Sequence, residues 1–493
     1  DDHASRTCGS HAFGEHWARM WLDLARYADT KGYEKDRHRD IWMFRDWVIL
    51  ALNRDMPYDQ FTVEQLAGDL LPEASNEQIL ATAFHRSTMT NDEGGTDNEE
   101  FRVAAVKDRV DTTMQVWMGL TMGCAKCHSH KYDPISQHDY YSVYAIFNQT
   151  ADVDRSDDVP VLPLPTSEQI SAISEIEAGI KALQLQKKEK SDDSLDAMIK
   201  EQQKKLSATR NAFTKTPIMQ ELPAGKQRET RLHRRGNFLD PGDIVRPAIL
   251  ELFGSLAPEV PVNRLGVARW ITQLENPLTA RVMVNRVWAR LFGIGLVETE
   301  EDFGTQGMMP SHPELLDWLA VDFREGGWSI KKLIRTIVLS ETYQQSTAAD
   351  VVKRTADPRN ILLGRGPRFR LSAETVRDQA LAVSGLLTQK VGGRSVMPPQ
   401  PDGVWKSTYN ALKWIDATGP DRYRRALYTY WKRTSPYPAM ITFDAGSGEV
   451  CQIRRVRTNT PLQALVMLND PAYVEAAGAL ARRMGDVEGE TLG

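Results

Sequence analysis

Cysteine is nearly absent, with four in 493 residues, at positions 8, 124, 127 and 451. That scarcity excludes a disulfide-stapled scaffold, and a chain of this length has room for about two to four domains with substantial cores. No run approaches the roughly 20 continuous apolar residues that a membrane helix needs. Apolar windows such as Trp42 to Leu52 are broken by charge at Arg45 and Asp46. Neither sign of charge dominates: 61 Lys and Arg stand against 66 Asp and Glu, a net −5, which argues against a general nucleic-acid coat. No apolar leader follows Asp1, so an export signal was removed ahead of this chain or never existed.

Helical periodicity dominates what is present. Trp17, Met20, Trp21, Leu24 and Ala28 return every three to four residues, and further helices are expected over 39–54, 57–71 and 76–86. Residues 90–100 read as an acidic loop leading into a helix that carries Phe101, Val106, Val110, Met114 and Trp117 and runs on into Gly123-Cys124. From 166 to 213 the composition shifts to Gln, Lys, Glu and Ser with spaced Ile and Leu, an antiparallel helical hairpin turning near 191–193. Residues 217–262, rich in Pro and Gly, predict an irregular crossing segment. Helices resume from Asn263, with Ser311 and Glu314 in capping-box spacing. The expected fold class is mainly α, in three parts: 1–155, the spacer 156–216, and 217–493.

The sharpest motif is Cys124-Ala125-Lys126-Cys127-His128, the CxxCH spacing of covalent c-type haem attachment. Two thiols three positions apart on a helical turn reach two vinyl groups, and the adjacent imidazole reaches the iron. Histidines 16, 38, 85, 130 and 138 and methionines 89 and 122 are candidates for a distal ligand. Two alternatives stay open: a Cys124–Cys127 disulfide, and zinc or another transition metal held by His128, His130, Asp133 and His138. The acids of Asp92–Glu100 around Gly94-Gly95 offer a calcium site or a solvated helix start. Arg424, Arg425, Arg454, Arg455 and Arg457 lie among Tyr423, Tyr428, Tyr430 and Trp431, so an anion-binding groove is expected, set against pairing with the protein's own acids. Cys8 and Cys451 either pair or remain free.

The motifs HWARMWLDLARYADTKGYEKD and GLTMGCAKCHSHKYDPISQHDYY resemble the planctomycete cytochrome-c-like domain, while LTARVMVNRVWARLFGIGLV and RRVRTNTPLQALVMLNDP resemble its companion C-terminal domain of unknown function. The resemblance implies export to the periplasm or cell surface, haem c at Cys124, Cys127 and His128, and a link to polysaccharide use. The resulting expectation is a monohaem redox protein, an oxidoreductase if an enzyme, exchanging electrons with a partner protein, with an anionic polysaccharide as possible substrate. A non-haem hydrolase or lyase, with an acid from 92–100 as base, and a non-catalytic surface binding protein are the alternatives.

Overall fold

The computed structural model describes residues 9–189, 193–405 and 412–491. The chain is mainly α, and its helices form where apolar residues recur at helical spacing. Helix α1 (Ala12–Leu24) buries Phe13, Trp17, Met20, Trp21 and Leu24. Trp21 is the hub of this region. Its ring centroid lies 4.8 Å from that of Phe61 and 5.7 Å from that of Trp117, and its indole N–H donates to Gln65 Oε1 at 2.6 Å. Helix α2 (Trp42–Asn53) packs on α1 so closely that a Cβ on Gly14 would fall 2.2 Å from the Ile49 carbonyl oxygen.

Helix α3 (Tyr58–Ala67) follows, with Pro57 at its N-cap, and the short α4 (Asn76–Ala81) starts from a Ser75/Gln78 capping box. Helix α5 (Asn98–Thr113) is capped by the Asp97 carboxylate. It does not run on to Gly123 as its periodicity suggests. A π-turn over Met114–Met118 ends at Gly119, whose φ of +60° favours glycine and stops the helix. Helix α6 (Gln137–Phe147) opens with a Ser136/Asp139 capping box.

The spacer is a two-helix arm, α7 (Ser167–Glu189) and α8 (Asp193–Asn211), rooted on the antiparallel strands β1 (Val161–Leu164) and β2 (Thr214–Pro217). A second ribbon, β3 (Arg231–His233) with β4 (Pro241–Ile244), lies in the irregular segment. Helices α9 (Arg264–Thr272), α10 (Thr279–Phe292), α11 (Pro313–Glu325) and α12 (Ile330–Val338) return to the core begun by α1 to α6. Trp270, Val284, Leu319, Phe323 and Ile334 belong to the same apolar cluster as Trp21 and Trp117. Helix α11 corrects one local reading. Its N-cap is His312 rather than Ser311, because Pro313 occupies the first helical position. Helices α13 (Ala373–Ser384), α14 (Pro461–Asn469) and α15 (Pro471–Thr491) complete the chain.

The segment 424–455 folds back over residues 15–39. Trp431 N–H donates to Asp29 Oδ2 at 2.8 Å, Lys432 pairs with Asp36 at 3.1 Å, and Arg433 donates to the Arg26 carbonyl at 2.8 Å and to that of Thr30. Burial pushes the Arg433 guanidinium down to about 9.

Asp154, 5% exposed, has one strong contact, Asn91 N–H at 2.8 Å. Burial pushes its pKa up from 3.8 to about 6. Ionising it in the folded state is therefore costly. The penalty is complete above pH 6 and absent below the unfolded value. Asp154→Asn is expected to be more stable than the parent by roughly 1–2 kcal/mol at pH 8 and equal to it near pH 4. Urea titrations at the two pH values check this; a gain independent of pH contradicts it.

Candidate functional site

The CxxCH segment is a 3-10 turn, Gly123–Lys126, between the end of α5 and α6. Cys124 and Cys127 are free and exposed. The turn is held from beneath. Tyr141 O–H donates to the Lys126 carbonyl at 3.0 Å, Gln137 Nε2 donates to the same oxygen at 3.1 Å, and Lys126 pairs with Asp111. Burial pushes the Asp111 carboxyl up to about 6. The 234–236 turn leans on one thiol, since a Cβ at Gly236 would fall 2.8 Å from Cys127 Sγ. Lys107 Nζ fixes that turn through the Gly236 carbonyl at 2.7 Å. His128 places Nδ1 2.8 Å from the Ser129 carbonyl, a contact that orients the ring with Nε2 free to ligate.

A two-lobed cleft lies elsewhere, between α1 and the start of α13. The larger lobe holds about 490 Å³ and is lined by Glu15, His16, Trp17, Arg19, Glu374, Asp378 and Arg425 among others. The smaller, about 170 Å³, shares His16, Trp17, Arg19 and Glu374 and adds Arg290, Phe369, Arg370, Asp444, Arg455 and Arg457. Five arginines line this second lobe against three carboxylates, Asp23, Glu374 and Asp444. Glu374 takes Arg19 Nε at 2.8 Å and Arg455 Nη1 at 2.9 Å. Burial alone would raise its pKa, but the two guanidiniums hold it at about 2. Asp378 behaves oppositely: burial pushes it up to about 6, offset in part by the Ala426 N–H at 2.7 Å. Desolvation and the Arg425 charge lower the His16 pKa.

Arg457 differs from the other arginines here. Its guanidinium lies 4.3 Å from the Phe369 ring centroid, and among the described residues no carboxylate pairs with it. Burial and the neighbouring Arg290 and Arg370 charges lower its pKa. An unpaired guanidinium beside an aromatic face suits a planar anion carried on a ring.

Residues 3–152 match the family model described as PSCyt2, protein of unknown function (DUF1549), and residues 263–491 match PSD1, protein of unknown function (DUF1553). The two models match separate stretches of the chain, one on each side of 153–262. No curated protein and no solved structure matches it. The CxxCH turn lies inside the PSCyt2 part, whereas the cleft takes one wall from α1 of PSCyt2 and the rest from PSD1.

Of the proposed metal ligands His128, His130, Asp133 and His138, the structure brings together His130 and Asp133, with Nδ1 3.3 Å from Oδ2. His128 faces its own loop. His130 Nδ1 accepts the Asp133 N–H at 2.9 Å, and the Asp133 carboxylate takes the N–H and O–H of Thr305 at 2.7 and 2.8 Å. His138 lies in the first turn of α6, its Nδ1 3.4 Å from Ser142 Oγ. Among the described residues no three His, Cys, Asp or Glu side chains gather as a metal set. The calcium candidates are likewise dispersed. Asp92 pairs with Arg37 at 3.3 Å, Glu93 accepts the Lys35 N–H at 3.0 Å, Asp97 caps α5, and Glu99 holds Arg102 at 2.7 Å. His85 is sealed in the core, where burial keeps it neutral, and His38 stacks on Tyr430.

In the PSD1 part, four of the five singled-out arginines serve the fold. Arg424 donates to the carbonyls of Arg394 at 3.0 Å and Lys390 at 3.2 Å. Arg425 pairs with Glu15 at 2.9 Å, and Arg454 with Glu301 at 3.0 Å. Arg455 bridges Asp23 at 2.7 Å and Glu374 at 2.9 Å. Only Arg457 of the five keeps its guanidinium for the cleft. Arg19, Arg290, Phe369, Arg370 and Asp378 give no signal in the sequence, since each stands in an ordinary helix or loop pattern, and His16 stands out there only as a candidate distal haem ligand, whereas it lines the cleft. Cys451 packs against the core, where burial pushes its thiol up to about 12, while Cys8 lies outside the described residues.

Proposed function

We propose that the protein binds an anionic saccharide, sulfated or uronate-bearing, in the cleft between α1 and α13. The supporting observation is Arg457: a guanidinium without a carboxylate partner, set on the Phe369 ring in a lobe with five arginines against three acids. An Arg fork binds sulfate or carboxylate through paired N–H donors, and the flanking apolar faces suit a sugar ring. Asp378 and His16, both with shifted pKa values, supply groups able to move protons at the same place. Isothermal titration with heparin and polygalacturonate, with dextran as the neutral control, tests the reading. Saturable binding to a polyanion and none to dextran is expected; equal behaviour towards all three sinks it.

A second reading concerns the CxxCH turn, and it is compatible with the first. The donor set suits covalent haem: two exposed thiols on one turn and an imidazole whose Nδ1 is already engaged. Cys124 and Cys127 would hold the porphyrin through thioethers and His128 would ligate the iron. The group would supply one-electron chemistry, making the protein an exported redox partner in anionic polysaccharide use. Neither lobe of the cleft is lined by these three residues, so binding and redox would occupy separate places. A pyridine haemochrome of protein matured with a cytochrome c system tests this. Absence of a Soret band that survives denaturation removes the reading.

A further inference from the structure

The α7/α8 arm has no interior of its own. Along 167–188 and 194–211 no side chain is buried. Ile173, Ile176, Ile180 and Leu183 on α7 share one face by their spacing, as do Leu195, Ile199 and Leu206 on α8, and all remain half-exposed. Ile170 and Leu185 are each 55% exposed and Met198 51%. Two helices form a single layer and cannot enclose a seam between them; four can.

We propose that a second copy of this chain supplies the other two helices, the arms packing antiparallel about a two-fold axis. The charge along α7 selects this occupant. Its root half carries Glu168, Glu175 and Glu177, and its tip half carries Lys181, Lys187 and Lys188 against the single acid Glu189. Glu177 and Lys187 are taken within the arm by Arg210 at 2.7 Å and by Asp196. Glu168 is held by the Thr166 hydroxyl at the start of α7, whereas Glu175, Lys181 and Lys188 make no ion pair among the described residues and are left to meet a partner. A parallel copy would set like on like, whereas an antiparallel copy sets the acidic half of one α7 beside the basic half of the other. The apolar residues obey the same symmetry. Ile176 and Ile180 flank Ala178 equally, as do Ile173 and Leu183 further out, so an antiparallel α7 brings each to the level of its counterpart. One patch thus serves both copies, the condition for a closed two-fold interface. The strands β1 and β2 anchor the arm to the body, since Arg86 donates to the carbonyls of Pro160 at 3.2 Å and Ile218 at 2.7 Å.

Sedimentation velocity on the full chain, from micromolar to about 100 µM, measures the association. A dimer is expected. Lys181→Glu with Lys188→Glu should weaken it by roughly tenfold or more while far-ultraviolet circular dichroism is unchanged. Replacing 167–211 by a short turn that joins β1 to β2 should leave a monomer. A monomeric parent at the highest concentration overturns the proposal, as does a dimerisation constant that the charge reversal leaves unchanged or a dimer that survives the loss of the arm.

Discussion

Asp152→Ala is expected to remove about 3–5 kcal/mol of stability. Asp152 receives Arg109 through both oxygens, at 3.1 and 2.5 Å, and Arg86 stands 4.0 Å away. All three side chains are buried. Burial favours the protonated carboxyl, yet the two guanidiniums hold its pKa well below the usual range. Alanine would leave two buried cations without their counter-charge, a cost that Arg109 cannot escape by turning to water. The same pairing contributes stability that is full above the unfolded pKa of about 4 and fades as pH falls below it. Chemical denaturation at pH 7 measures the effect; a loss under about 1 kcal/mol shows that the pair is replaceable.

Arg457→Glu should weaken polyanion binding by tenfold or more, about 1.4 kcal/mol at least, because it both removes the unpaired guanidinium and sets a like charge in the anion's place. Stability should change little, since Arg457 makes no ion pair among the described residues. Arg454→Ala is the matched control: its partner Glu301 lies with it at the surface, and binding should persist. Arg455→Ala is unsuitable as a probe of binding, because it would leave the two buried acids Asp23 and Glu374 with Arg19 alone. Titration calorimetry with heparin separates these outcomes. Equal affinity of Arg457→Glu and the parent removes the cleft from consideration.

Local patterns in the sequence carried the helices well. The stripe from Trp17 to Leu24 is α1, the helix expected at the end of the acidic loop 90–100 starts from an Asp97 N-cap, and the hairpin expected over 166–213 has its helices within 167–211. These signals are local because periodicity and capping act within a few residues. The end of α5 was not legible, since Met114–Met118 has ordinary helical composition and only the left-handed Gly119 terminates it. The cleft was hidden for a different reason. A basic residue's spacing does not reveal which acid neutralises it. Arg455 finds Asp23 across 432 positions and Arg425 finds Glu15 across 410, so five similar arginines divided into four structural ones and Arg457 only once the chain was folded. The CxxCH thiols were legible as a pair, but their exposure on a short turn was not.

The return of residues 424–455 over the first helices ties folding to the order of synthesis. Asp23, Asp29 and Asp36 are buried, and their partners Arg455, Trp431 and Lys432 are made about 400 residues later. Until those partners arrive, α1 and the loop after it carry carboxylates that cannot be desolvated without cost. Asp23 has Arg19 beside it from the start, at 2.8 Å, but Asp29 and Asp36 are expected to stay hydrated until the later segment is made. Closure of this corner of the fold is thus tied to the synthesis of 431–455, the stretch that carries the distant partners.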